Sequence, residues 1–345
     1  MTRMMRALVS AVSALLLGAG PALACGGLIG ANDTVNLVRT TTLAAYTDGV
    51  EHYVTSFSFV GAGAKFGSIV PLPGVPTDVK KAGRWTLQRL LQEVQPPTVA
   101  FAARAVAENG TADSAQVILE AEVDALDITV LKGGGDEVGK WATDNGFVLP
   151  PDAPEVLDFY ATRSPIFMAV RFDADRAAER NLNTGDGIPI HLTIPTDDPW
   201  VPLRILGLGK DARERIEADV FLLTPMRPEL LPREGSTYDI KASAPASPAL
   251  LSDLRADRGM GWLPRDDMWL SYLEIDAAAG ELTHDLAIDA SGARRPDPLD
   301  AGFGLPGLPP RPSDARGFAL WWIAVGAGAA AFVLVGIDRG VVGRR

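Results

Sequence analysis

Hydrophobic positions recur at every second residue through most of the middle of this chain. Residues 34–46, 50–60, 69–72, 116–123, 126–131, 166–172, 188–194, 216–223 and 269–275 carry β-branched and aromatic residues between turn formers, and each reads as a strand. A helical period shows in fewer places. Residues 85–94 set Trp85, Leu87, Leu90, Leu91 and Val94 on one side, while 136–144 and 155–161 follow Gly-rich or Pro-rich starts with acidic residues in the first turn. Strands scattered among short helices, without a regular βαβ alternation, predict a strand-rich α+β fold.

The two ends follow neither period. Arg3 and Arg6 precede an uncharged run, 7–17, too short to span a bilayer, and Gly18, Gly20 and Pro21 break it before Ala22-Leu23-Ala24. This pattern predicts a signal peptide over 1–24 and a mature chain that starts at Cys25. A lipoprotein peptidase also cuts before Cys, but it takes a branched aliphatic where this chain has Ala22. Ordinary cleavage is therefore preferred, with lipidation of Cys25 as the alternative. Residues 317–337 hold no charge, and as a helix they would cover about 32 Å against a hydrocarbon core of about 30 Å. Trp321 and Trp322 stand near the start of this run, and Arg339, Arg344 and Arg345 follow it. The predicted topology is one pass, with the domain extracytoplasmic and a short basic tail, 338–345, in the cytoplasm. Gly326 and Ala330, like Ala327 and Ala331, lie four apart on such a helix and would let two copies form a weak homodimer. An Ala-rich and Gly-rich helix also produces such pairs by composition alone.

Between these ends, 25–290 reads as the folded extracytoplasmic region, as one domain or two. Residues 291–316 contain six prolines and four glycines, which predicts an extended stalk or a tether. The chain is 47% hydrophobic, enough for a sizeable core. Without the two ends the exported part keeps 27 basic residues against 42 acidic ones, a formal charge of −15. That balance argues against nucleic acid as a partner. Cys25 is the single cysteine, so the core must be stable without an internal disulfide.

Motifs for chemistry are sparse. Gly134 to Lys140 has the glycine and lysine spacing of a phosphate loop, but Trp141 stands where a hydroxyl is needed, and Asp136 and Glu137 would repel phosphate. Gly61, Gly63 and Gly67 miss the dinucleotide fingerprint by one place and read as a turn. Residues 173–187 are acidic but lack the glycine and terminal glutamate of a calcium loop. His52, His191 and His284 are far apart and show no metal spacing, and neither G-x-S-x-G nor S-x-x-K occurs. No cofactor or metal is expected. Asp197-Asp198-Pro199-Trp200 and Asp266-Asp267-Met268-Trp269 repeat a pattern that reads as acidic turns leading into Trp-bearing strands, or as paired carboxylates.

The order of several segments resembles the bacterial family called domain of unknown function 2330. These segments are Cys25-Gly26-Gly27, Ser68-Ile69-Val70-Pro71-Leu72-Pro73-Gly74-Val75-Pro76, Trp141-Ala142-Thr143-Asp144-Asn145-Gly146-Phe147, Leu157-Asp158-Phe159-Tyr160, Ile188-Pro189-Ile190-His191-Leu192 and Trp200-Val201-Pro202-Leu203-Arg204. The resemblance implies an exported, commonly membrane-anchored protein and assigns no catalytic residue. Physically the motifs read as architecture, with Pro71, Pro73, Pro76, Trp200 and Arg204 as the candidate rim of a binding groove. The functional expectation is a structural or binding module of the cell envelope, facing an envelope protein or a glycan. The rival is an envelope hydrolase with a dispersed site, built on His191 or His284 and a carboxylate such as Asp285.

Overall fold

In the computed structural model the described residues are 27–30, 36–60, 66–83, 85–94, 116–173, 176, 179, 189–235, 237–265 and 267–305. Cys25, the signal segment, residues 306–316, the apolar run 317–337 with Gly326 and Ala330, and the tail 338–345 lie outside them, as does most of 173–187. No helix among the described residues is long and apolar enough to cross a membrane.

Fifteen strands are described: β1 (Gly27–Gly30), β2 (Asn36–Thr47), β3 (Val50–Val60), β4 (Phe66–Pro71), β5 (Asp78–Lys81), β6 (Gln116–Val123), β7 (Leu126–Lys132), β8 (Ile166–Phe172), β9 (Ile190–Pro195), β10 (Trp200–Val201), β11 (Arg215–Thr224), β12 (Glu229–Leu231), β13 (Tyr238–Pro245), β14 (Trp269–Ala278) and β15 (Leu286–Asp289). Four helices are described in full: α1 (Thr86–Val94), α2 (Gly135–Asp144), α3 (Ala153–Ala161) and α4 (Pro248–Ala256). The strand-rich α+β expectation holds. Every strand and helix expected from periodicity is present, with ends shifted by a few residues.

A seven-stranded sheet in the order β13-β14-β11-β2-β3-β9-β5 carries the fold. All its neighbours are antiparallel except β11 and β2, which run parallel at its centre. Along β3 the side chains alternate. His52 and Val54 point to one face; Glu51, Tyr53 and Thr55 point to the other. On the first face Leu43, Val54, Phe221 and Leu223 pack against Leu87 and Leu90 of α1 and Leu250, Leu251 and Leu254 of α4. Ser247 starts α4 by accepting a bond from the Leu250 N–H at 3.1 Å, with Pro248 at the first helical position. Asp257 holds the start of α1 through the Thr86 N–H and hydroxyl, both at 2.7 Å.

On the second face Thr42, Tyr53, Thr55 and Val220 meet Val70 of β4 and residues Val201 to Leu206, enclosing a space of only about 20 Å³. A five-stranded antiparallel sheet, β1-β4-β8-β7-β6, and a three-stranded one, β10-β15-β12, complete the architecture. At the start of α2 the Glu137 carboxylate accepts the Gly134 N–H at 2.7 Å. Its own side chain thus fills the place a phosphate would take. Trp200 opens β10 and Trp269 opens β14, so in both Asp-Asp-x-Trp stretches the tryptophan begins a strand, and the two strands belong to different sheets.

The Pro/Gly-rich segment departs from the expectation. The compact unit runs to Leu305, and residues 291–305 are part of it rather than the start of a stalk. Asp285 N–H donates to the Ala301 carbonyl at 3.0 Å, Arg163 donates to the Asp300 carbonyl, and Phe303 stacks on His284 at 3.9 Å. Gly302, at φ +81°, comes so close to the Phe159 ring that a Cβ there would sit 2.2 Å from it. Prolines exclude helix and ladder here, but irregular backbone can still be held by side chains.

Candidate functional site

Two of the family-like motifs, Leu157 to Tyr160 and Trp200 to Arg204, meet in one buried cluster. Asp285, at the foot of β15 and fully buried, accepts bonds from the Tyr160 hydroxyl (2.8 Å) and from the backbone N–H groups of Leu203 (2.7 Å) and Arg204 (2.9 Å). Its second oxygen pairs with Arg163. The Arg163 guanidinium lies over the rings of Phe159 and Trp200, each at 4.6 Å, and of Tyr160 at 5.2 Å. Arg204 reaches Glu155 at 2.5 Å and covers Phe159 at 4.2 Å. Burial, followed by the Asp285 charge, raises the Tyr160 hydroxyl well above its ordinary range. This cluster ties the turn after β10 to α3 and to β15. Trp200 and Arg204 are both buried in it. Pro71 is the last residue of β4, Pro73 is half-buried, Pro76 is buried, and Gly74 between them closes on the Pro195 carbonyl. The five expected rim residues therefore lie at two separate places, four of them buried and Pro73 half-buried.

The three histidines also separate. His284 stacks on Phe303 and bonds Thr283 at 2.9 Å, while the adjacent Asp285 faces Arg163 and Tyr160. His52 and His191 meet because Val54 of β3 stands opposite His191 of β9, which sets His52 diagonally beside it on the same face. His52 Nδ1 lies 3.0 Å from His191 Nε2, and Trp262 stacks on His52 at 3.7 Å. His191 Nδ1 is buried without a partner. The tautomer that costs least has His191 Nε2–H donating, which leaves a lone pair at Nδ1 and not an unpaired N–H. Burial, then Lys80, pushes His52 down; burial, then His52 and Lys80, pushes His191 down.

Both rings are thus neutral in the folded chain at pH values where the unfolded chain binds their protons. Stability from this pair is complete above about pH 6.5 and is lost as pH falls below it. Replacing both by Gln should flatten the fall of the unfolding free energy, read from urea titrations between pH 6.5 and pH 4.5, by about 1–2 kcal/mol per pH unit. An unchanged slope would show that the pair does not govern acid unfolding.

An open groove of about 1100 Å³ lies elsewhere, between the β13–β14 end of the large sheet, β12, the Asp197–Asp198 turn and residues 294–300. Its walls are anchored. Asp289 accepts from Ser291 Oγ and from the N–H groups of Ala293 (3.1 Å) and Arg294 (2.8 Å), and Asp297 accepts from Leu299 N–H at 2.9 Å. Glu234 accepts from Ile240 N–H at 2.9 Å, and the Tyr238 hydroxyl donates to the Pro232 carbonyl at 2.6 Å. Four of the lining charges are left over for a ligand. Arg227 and Arg295 make no ion pair with any described residue, and neither do Asp198 and Asp300. Burial, then Asp198 and Asp297, raises Asp300 to about 6, against the pull of Arg163. Among the described residues no group of three or more His, Cys, Asp or Glu could hold a metal ion. The arrangement offers fixed guanidinium and carboxylate groups to a ligand bearing both signs of charge. Its only signals in the sequence are the dipeptides Asp197-Asp198 and Arg294-Arg295, far apart along the chain.

The fold and these sites define an α+β protein built on one large mixed sheet. The chain belongs to the family described as "Uncharacterized protein conserved in bacteria", domain of unknown function 2330, which matches residues 19–233. No curated protein matches it. Among solved structures, baculovirus P35 is similar at 7% identity and a TM-score of 0.36, over 74% of this chain and 97% of that one. A superposition that loose carries nothing over to this protein.

Proposed function

We propose that this protein is a single-pass component of the bacterial cell envelope whose folded part faces outward and works as a binding module. The signal-like start at 1–24 and the uncharged run 317–337, followed by arginines, support the location. The free charges of the groove carry the binding role. Arg227, Arg295, Asp198 and Asp300 share one groove of about 1100 Å³, yet none is spent on an ion pair with a described residue. Charges fixed on anchored walls and left unpaired are what a charged ligand needs. The buried cluster around Asp285 then serves as the rigid support beneath that surface.

One experiment addresses both parts. A photo-crosslinking residue at position 230, irradiated in intact cells, should give an adduct, and protease added to spheroplasts should digest it. The adduct should disappear in the Arg227→Glu/Arg295→Glu variant. An adduct protected until lysis would overturn the topology, and an adduct unaffected by the charge reversal would overturn the groove as the binding surface.

A further inference from the structure

The groove's two sheet walls differ in how they meet it. From β13 and β14 the lining residues are Tyr238, Ile240, Ser243 and Ser271, which share one face of the sheet once the bulge between Ile240 and Ala242 is allowed for. All three residues of β12, Glu229, Leu230 and Leu231, line it, after Arg227 and Pro228 that lead into the strand. Side chains on a strand alternate between faces, so a run of consecutive lining residues means that the strand borders the groove with its edge. β12 ends the order β10-β15-β12, and its far edge has no strand neighbour among the described residues. The floor of the groove is thus a sheet face, and one wall is an open strand edge.

Native sheets usually blunt such edges. β13, the edge of the large sheet, is blunted: it has a bulge at Lys241, and Glu234 occupies the Ile240 N–H. β12 has neither device and is blunted only by its length and by Pro228 and Pro232 on either side, which limit pairing to its three residues. The groove also exceeds the usual ~300–1,000 Å³ of a small-molecule pocket. Tyr238 is its one aromatic, and that hydroxyl is already committed to Pro232. A sugar chain would find no exposed ring to stack on.

We propose that the groove binds an extended segment of a partner protein by strand addition to β12. The reading rests on the groove being the binding surface. Backbone N–H and C=O groups of the added segment would pair with the β12 edge, and every second side chain would face Ile240, Ser243 and Ser271. An acidic residue of the segment would meet Arg227 or Arg295, and a basic one Asp198 or Asp300. Charge sets which segments are accepted, and the edge sets that they must be extended.

The test uses the purified full-length protein and a pool of blocked hexapeptides, Glu at one end, Lys at the other and Val or Thr at each position between. Hydrogen exchange of residues 227–235 is followed at 1 mM pool. At least tenfold slowing is expected, and it should vanish with the same pool N-methylated at alternate backbone nitrogens. Equal slowing by the methylated pool, or no slowing, would overturn strand addition. A chitin oligosaccharide at the same concentration separates the two readings. Slowing by the oligosaccharide alone keeps the groove as a binding site and rejects a peptide ligand, while slowing by neither rejects the groove as well. The Arg227→Glu/Arg295→Glu variant should weaken pool binding about tenfold, and unchanged affinity would reject the role given to charge.

Discussion

Arg163→Met should destabilise the full-length protein by about 3–5 kcal/mol, the usual cost of removing one partner from a buried ion pair. Asp285 has no exposed surface, and the Arg163 side chain is 6% exposed, so no water can replace the guanidinium. The substitution also removes the cation that Phe159, Tyr160 and Trp200 enclose. Adding Asp285→Asn to it should recover part of the loss, because an amide oxygen can still accept from Tyr160 and from the Leu203 and Arg204 N–H groups. Urea midpoints at pH 7 for the two singles and the double measure the coupling. A double variant at least as unstable as the sum of the singles would remove the ion pair as the source of stability. Against a total stability of about 5–15 kcal/mol, the expected loss is large.

Glu51→Gln should act in the opposite direction, by an amount that grows as pH rises from about 4.5 to about 8. Glu51 stands on β3 opposite Tyr46 and Ile194, fully buried, and neither carboxyl oxygen finds a hydrogen bond of good geometry. Burial raises it to about 8, and the Trp200 N–H, which points its way, offsets this only in part. The folded chain therefore keeps a proton that the unfolded chain gives up above about pH 4.5. This stability is present below that pH and is lost as pH climbs through about 8. Gln holds the shape without the charge, so at pH 9 the variant should exceed the parent by about 3–5 kcal/mol, and at pH 4 the two should nearly coincide. Urea midpoints at the two pH values decide it. A parent as stable at pH 9 as its variant would mean that Glu51 ionises in the fold without cost.

The elements that periodicity revealed are those that bury a face. β8 is buried at all but one residue and β11 at all but two, and their branched and aromatic residues are plain in the sequence. The strands it missed are short or lie at edges. β5 is Asp-Val-Lys-Lys, β12 has three residues, and β13 carries charges, a bulge and a terminal proline. Their hydrogen bonds come from neighbours supplied by the fold, which leaves little trace in residue type. The helix α4 was also missed: Ser247-Pro248 starts it and Leu250, Leu251 and Leu254 make its stripe, but a single short stripe is a weak signal. The sites were less legible still. His52 and His191 meet only through the register of β3 on β9, and Asp285 finds Arg163 across more than a hundred residues.

The central parallel pair bears on the order in which this chain can fold. Thr40 of β2 lies beside Ala218 of β11, and β11 in turn pairs with β14, whose last residue is Ala278. A ribosome releases the chain from its amino end, so β2 and β3 can form a hairpin early, but the β2 flank stays uncovered until β11 has emerged more than 150 residues later. Contacts of such long separation close slowly. Until then the hairpin exposes β2 as an open edge beside Leu43 and Ala45, which later lie in the core. The period between emergence and closure is when this protein most needs a chaperone to hold it apart from its own copies.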